Sequence, residues 1–403
     1  MRSFLIVETC GNVSSNPTTM AIIDELVKRG HHVDILTPAG TLNDSSRPQR
    51  WREYVSVRDY RPDFASTQVH GGLAARFVRQ AKSTVNHLRE GNFVDPLVTE
   101  RRNASQYSCI IGIDPLGIIA ADQINQVACR PLIYLSFELL LRHELESESE
   151  RDLKRRETIA IGNTNLFMLQ DDERCNLFCK DNAVSRERCL LVPVAPNDCG
   201  LCQNQYLQEK LSIPKSQHIV LYQGSLATWS GRDDFAEMVS YWPDNVVLVV
   251  HSRVPLGTRM RRYFDSFNTM GKIVISDQPI SADDLPMLTA SADIGLAPYR
   301  PGPDHWTHGD NLRYIGLASG KIAYYAMCGL PILTRRMASL TEIIEGNGAG
   351  LCYERLADTG ELVRTLLANR EHFSRMSREF YLRCLSPEKY IGPFCDRMER
   401  LAS

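Results

Sequence analysis

Apolar residues in this chain fall into short continuous runs, separated by segments in which they recur every three or four positions. "SFLIVE" from Ser3 is the first run, and it ends in the polar, glycine-containing loop "TCGNVSSNPTT". "MAIIDELVKRG" then carries apolar residues at helical spacing and stops at Gly30, after which "HVDILTP" is again continuous. Strand, loop, helix, glycine, strand is a βαβ unit, which requires a parallel sheet. "YSCIIGID", "PLIYLS", "TNLFMLQ" and "RCLLVPVAP" supply further strands, alternating with helical stretches such as "LGIIAADQINQVAC". The pattern predicts a first doubly wound α/β domain over residues 1–197.

"NDCGLCQNQYLQEKLSIPKSQ" breaks the alternation and reads as a linker, 198–217. A second α/β domain is predicted over 218–384, with strands "HIVLYQG", "NVVLVVHS", "KIVISD", "DIGLAPY", "LPILT" and "GLCYE". Helices such as "DDFAEMVSYW", "SADDLPMLTASA" and "SGKIAYYAMCG" lie between them. The tail "EKYIGPFCDRMERLA" predicts an amphipathic helix within 385–403, expected to pack back on the first domain. The expected fold class is α/β, two doubly wound Rossmann-like domains facing across a cleft.

Composition adds limits. The 403 residues are 43% apolar with a net charge of −2, globular values that call for neither nucleic acid nor a membrane. No apolar run approaches the ~20 residues of a spanning helix. The opening residues form a strand rather than the charged-then-apolar pattern of a secretion signal. The 12 cysteines are scattered, and the C-x-x-C at Cys199 and Cys202 lacks matching ligands, so the expectation is a reduced, cytoplasmic protein. Residues 47–102 hold 11 Lys and Arg against 6 Asp and Glu. Within them "LAARFVRQAKSTVNHL" reads as a basic amphipathic helix, either a solvated face or a peripheral contact with an anionic membrane surface. "RHELESESERDLKRRE" from Arg142 reads as a solvated helix.

Open α/β sheets bind ligands at the carboxyl ends of their strands. In the second domain those ends carry "QGSLATWSG", "HSRVP", "SDQPIS" and "PYRPGPDHWTHGDNLRYIGLASGK". Gly224, Ser225, Arg253, Ser276, Ser319, Gly320, Lys321 and Tyr324 are the candidate ligand contacts there. "GLASGK" from Gly316 is one residue short of a phosphate loop, and Ile322 stands where a magnesium-binding hydroxyl belongs. Lys321 nonetheless opens a helix, and a helix N-terminus holds a diphosphate without any such loop.

"SGKIAYYAMCGLPIL" followed by "TEIIEGNGAGLCYE" resembles the donor-domain motif of GT-B glycosyltransferases, most like the GT4 (group 1) family. "DIGLAPY", "NLRYIGLASGK", "VLYQGSL" and "VPVAPN" resemble the segments around it, and the likeness covers roughly 193–354. The resemblance implies an acceptor domain first and a nucleotide-sugar domain second. It also implies a donor that is a nucleotide-diphosphate sugar and no cofactor or bound metal. Three departures stand out. The family's E-x7-E carboxylates align with Gly316 and Tyr324, and Tyr324 can make one hydrogen bond to a ribose where a carboxylate makes two. The family's two basic residues in the first glycine turn align with Ser225 and Ser230, leaving Arg232, Arg253 and Arg313 as replacements. "DHWTHGD" is an insertion, with His305, His308 and Asp310 expected to grip donor sugar or acceptor.

The expected chemistry is sugar transfer with retention, Lys321 stabilising the leaving diphosphate. An inverting enzyme needs a side-chain base from the first domain, for which Asp114 and Glu138 both follow strands, Asp114 being equally readable as a cap. The acceptor is not legible: lipid-linked saccharide, polysaccharide, small molecule and protein all stay open. A sugar-nucleotide epimerase and a non-catalytic binding protein of the same fold are the alternatives.

Overall fold

The computed structural model describes residues 1–11, 13–38, 48–60, 103–200, 203–252, 255–268, 271–303 and 305–403. The basic helical stretch at 73–88, with most of the 47–102 region, lies outside these residues, as do Arg253 and Cys202. The chain forms two compact units. One comprises Met1–Val194, Pro303–Asn311 and Pro387–Ser403; the other comprises Ala195–Gly302 and Leu312–Ser386.

The first unit is built on a seven-stranded sheet in the order β3-β2-β1-β4-β5-β6-β7, all described pairings being parallel. Its strands are β1 (Ser3–Val7), β2 (His32–Pro38), β3 (Val55–Tyr60), β4 (Cys109–Ile113), β5 (Leu132–Leu135), β6 (Leu166–Leu169) and β7 (Cys189–Leu191). β4, β5 and β6 are buried along their whole length, which is why their sequences run continuously apolar instead of alternating. Helix α1 (Pro17–Lys28) begins where Asn16 accepts the Thr19 N–H at 3.0 Å and Pro17 presets the first turn. α2 (Asp114–Asn125) follows β4 directly.

Helix α3 (Glu148–Asn163) starts with a reciprocal capping box between Ser147 and Glu150. It corrects the reading of this stretch as a purely solvated helix. Lys154 and Glu157 are buried, and the Lys154 ammonium donates to Leu140 O at 2.6 Å and to Glu157 Oε2 at 2.8 Å. A buried ion pair has the same composition as a surface one, so the sequence pattern does not separate them. α4 (Asp172–Asn182) is capped by Asp171 and ends at Ala183 in the left-handed region, φ 52°.

The C-terminal helix Ile391–Leu401 lies against α1. Arg29 donates to Asp396 at 2.7 Å and to Glu399 at 3.2 Å, and His31 Nε2 is 2.8 Å from Glu399.

The second unit carries a six-stranded parallel sheet in the order β10-β9-β8-β11-β12-β13. The strands are β8 (His218–Gln223), β9 (Val246–His251), β10 (Ile273–Ser276), β11 (Ile294–Ala297), β12 (Ile332–Arg335) and β13 (Gly350–Tyr353). Alternate residues serve the two faces: Leu221, Val247 and Val249 pack in one core cluster, Val220, Leu248 and Val250 in the other. The segment read as a linker folds into this unit. Helix α5 (Tyr206–Leu211) buries Leu207, whose N–H donates to Ser291 Oγ at 3.3 Å. Helix α6 (Gly320–Met327) precedes β12. Conversely, Pro303–Asn311, read as part of the second domain, belongs to the first unit. Asn311 makes the tie, accepting from Leu139 N–H and donating to Leu139 O, both at 2.6 Å.

Candidate active site

Both sheets reverse their winding at one place, the first between β1 and β4, the second between β8 and β11. At such a switch point adjacent connections leave in opposite directions and open a crevice at the strand ends. The residues next in sequence there are Glu8 after β1 and Asp114 after β4, and Gly224 after β8 and Pro298 after β11.

In the second unit, Gly224 turns at φ +128°, a conformation that only glycine adopts comfortably. Its Cα carries nothing toward Lys321, whose Cε is 3.7 Å from where a Cβ would stand. The Lys321 ammonium lies 4.3 Å from the Tyr222 ring centre, 4.7 Å from Tyr299 and 6.0 Å from Trp229. It also donates to Tyr222 Oη at 3.3 Å. Three aromatic faces therefore steady this cation by their quadrupoles without neutralising it. The Trp229 and Tyr299 rings are parallel within 3°, and the Trp229 turn is held by the Arg300 N–H donating to Trp229 O at 2.9 Å. The turn closes at Gly231, φ +75°, where a Cβ would meet Pro298 O at 2.0 Å.

Ser319 caps α6, accepting the Ile322 N–H at 3.3 Å, and its hydroxyl also contacts Tyr299 Oη at 2.5 Å. Gly320 is the first helical residue. Gly224, Ser319, Gly320 and Lys321 are thus joined through Lys321 and Tyr299. Ser225 belongs to the same turn, its carbonyl accepting from Tyr222 Oη.

The other sequence candidates go elsewhere. Ser276 is buried with its hydroxyl 3.0 Å from His251 Nδ1. Tyr324 is 6% exposed and packs in the apolar cluster with Ile322 and Tyr325. Arg232 is spent on Leu226 O at 2.6 Å and on the face of Tyr263 at 5.7 Å, while Arg313 is exposed. Two arginines that sequence reasoning passed over lie at strand ends. Arg300 follows β11 and Arg335 ends β12, and Asp234 receives both at 3.3 and 2.8 Å. The strand-end rule that selected Arg253 applies equally to them.

In the first unit the switch point is acidic. The Glu8 carboxylate, 2% exposed, accepts the N–H groups of Cys10 at 2.5 Å and Gly11 at 2.7 Å, and the Thr37 hydroxyl at 3.1 Å. Sequence reasoning missed Glu8, although it ends the first apolar run. Asp114 has φ +58° and does not cap its own helix. Its Oδ1 accepts from Phe137 N–H at 2.8 Å and Glu138 N–H at 2.9 Å, clamping the loop after β5. A non-glycine residue in this region costs on the order of 1 kcal/mol or more and is common at functional sites.

Burial, then the neighbouring Glu138 charge, raise the Asp114 carboxyl well above its ordinary range. Glu138 is accessible at its surface, yet the surrounding protein strips enough water from its carboxyl to push it up to about 7, against the pull of Arg174. Arg174 is 1% exposed and donates to Gln170 Oε1 at 2.7 Å and Phe137 O at 2.6 Å. The Asp114–Glu138 pair therefore retains a proton into the neutral range. In the inserted loop His305 Nδ1 turns to Thr307 Oγ1 at 2.7 Å, its ring centre 5.6 Å from that of His308, and Asp310 pairs with His143 Nε2 at 3.0 Å.

No family model and no curated protein matches the sequence. Solved structures match along nearly the whole chain. HepE of Anabaena in complex with UDP-glucose has a TM-score of 0.71 at 10% identity, covering 99% of this chain and 100% of that one. Sucrose-phosphate synthase of Thermosynechococcus elongatus has a TM-score of 0.70 at 14% identity, covering 100% and 99%. WaaG, a glycosyltransferase involved in lipopolysaccharide biosynthesis, has 0.64 at 16% identity, covering 98% and 99%. The fold is GT-B. Sequence identity this low fixes the GT-B architecture alone, and the chemistry has to be argued from side chains. Among the described residues no helix is long and apolar enough to cross a membrane.

Proposed function

We propose that this GT-B protein is a glycosyltransferase of GT4-like type that moves a sugar from a nucleotide-diphosphate sugar to an acceptor. The observation that carries this reading is the convergence of Lys321, the α6 start at Ser319–Gly320 and the Gly224–Ser225 turn beside the β8/β11 switch point. A cation and a helix N-terminus beside a glycine turn suit a diphosphate leaving group, whose developing charge they stabilise. The structures of HepE with UDP-glucose support a sugar nucleotide as donor. Transfer proceeds with retention and without a bound metal, Lys321 supplying the charge that a metal supplies elsewhere. Ser225 contributes to the turn, and Arg253 adds charge after β9. The first unit takes the acceptor, with Asp114 and Glu138 addressing its hydroxyl.

A second reading, inversion with Glu138 as general base, is favoured by the loss of hydration that pushes its carboxyl up to about 7, toward the range where a base is effective. Thermal shift against UDP-, GDP-, dTDP- and CMP-sugars tests the donor. One nucleotide series is expected to raise Tm by several degrees at saturating ligand, following the linkage of binding to stability. A folded protein shifted by none of them sinks the proposal.

A further inference from the structure

Cys175 and Cys179 stand one helical turn apart on α4, so their sulfurs leave the same face. Cys189 opens β7, the edge strand of the first sheet, and brings a third sulfur to them. The Cys175 and Cys179 sulfurs are 3.9 Å apart, those of Cys179 and Cys189 are 3.5 Å apart, and all three lie within 4.8 Å of one another. All three are free thiols. Sulfurs bonded to each other stand about 2.05 Å apart. Sulfurs bound at ~2.3 Å to one tetrahedral ion stand about 3.8 Å apart, and the observed spacings bracket that value.

We propose that Cys175, Cys179 and Cys189 together bind a thiophilic metal ion of the Zn(II) class through three thiolates. Among the described residues no carboxylate or imidazole belongs to this cluster, so hard cations such as Mg(II) and Ca(II) find no oxygen ligands in it, whereas soft sulfur selects Zn(II) and its chemical relatives. Cys175 and Cys189 are buried, and Cys179 is half-buried. The fourth position therefore opens to solvent on the Cys179 side and takes a water. Each thiol gives up its proton to solvent as its sulfur–metal bond forms. Arg186, which donates to Cys189 O at 3.3 Å and to Asp172 Oδ1 at 2.8 Å, puts a positive charge beside the surplus negative charge of a tris-thiolate. The ion would fasten a strand of three residues to the helix packed over it, at the edge where, among the described residues, no further strand holds it.

The test is direct metal binding to reduced, chelator-treated protein. Titration with Co(II) is expected to give one equivalent of binding with sulfur-to-cobalt charge-transfer absorption, displaced by Zn(II), and Zn(II) is expected to raise Tm. Cys179→Ser should abolish the band and the Zn(II) shift while leaving the metal-free Tm within about 4 °C, a change of ~1 kcal/mol at most for a half-buried thiol. Cys199→Ser should retain both. Zn(II) should also shield Cys179 of the unaltered chain from alkylation by N-ethylmaleimide, a reading that needs no variant to fold. The proposal is overturned by absence of the band, by a band that survives Cys179→Ser, or by equal alkylation of Cys179 with and without Zn(II). It is equally overturned if the three cysteines simply oxidise to a disulfide in air and take up no metal beforehand.

Discussion

The two sheets share a strand order and differ in the charge they present at the place where that order reverses. In the first unit β1 and β4 deliver Glu8 and Asp114, with Glu138 after β5 close enough to perturb Asp114. In the second, β8 and β11 deliver a glycine turn and an aromatic surround for Lys321. The two solve the problem of burying charge differently. The Asp114 and Glu138 carboxyls rise in pKa and keep a proton, because burial penalises ionisation of both and the Glu138 charge adds to it at Asp114. The ammonium sits against ring faces that stabilise a cation without consuming it. Topology fixes where chemistry can sit, and the loop residues decide its sign. A proton-holding carboxyl pair suits exchange with a hydroxyl nucleophile, and a retained cation suits a diphosphate.

The largest expected effect comes from putting a carboxylate into the cationic half. Tyr324→Glu introduces a carboxylate at a position that is 6% exposed among apolar side chains. The variant should lose about 4 kcal/mol of stability, the scale of an uncompensated buried charge, measured by urea unfolding. A variant of normal stability that binds nucleotide sugar more tightly would place Tyr324 at the ribose instead and break the contrast drawn between the halves.

Next comes removal of the cation. Lys321→Ala should slow turnover by ~10²–10³ fold, the loss seen when one preorganised charge-stabilising group is deleted. Stability should fall by only about 1 kcal/mol, from the lost cation–π contacts. Release of nucleoside diphosphate and the thermal melt read the two separately. Unchanged turnover with a lowered Tm would make Lys321 a packing residue.

How much of this was legible varies along the chain for physical reasons. Parallel strands buried on both faces write themselves as unbroken apolar runs, so "SFLIVE", "HIVLYQG" and "NVVLVVHS" were readable, and with them two doubly wound α/β sheets, while the GT-B plan came from the resemblance of the segments around "SGKIAYYAMCGLPIL". The helix start at Ser319–Gly320 was readable because a serine cap before a glycine leaves a local signature. The aromatic surround was not: Tyr299 lies 70 residues beyond Trp229 and joins Tyr222 and Trp229 only when β8 and β11 pair. Glu8 looked like the end of a strand, and Lys154 and Glu157 looked like surface charge, because burial of a polar group depends on partners elsewhere in the fold. The segment 303–311 leaves β11 of one sheet but packs with the other unit, an exchange that periodicity cannot encode.

The subtlest expected effect is the pH dependence of the acidic half. The Glu138 carboxyl moves from its ordinary 4.5 up to about 7 on folding. Below pH 4.5 it is protonated in both folded and unfolded chains and contributes nothing to the difference. Between pH 4.5 and 7 the unfolded chain has released this proton while the folded chain still holds it. The unfolded state binds fewer protons, so stability falls as pH rises through this window, and it levels off once both states are ionised. Asp114, raised by burial and by Glu138, adds a slope of the same sign. Glu138→Gln removes the first contribution and, by deleting the charge beside Asp114, weakens the second. Urea midpoints measured from pH 4.5 to 8 should therefore decline less steeply for Glu138→Gln than for the unaltered chain, with the gap widest at the alkaline end. Parallel curves would mean that Glu138 ionises as freely as in the unfolded chain, and the acidic switch point would then be a solvated surface rather than a proton-holding pair.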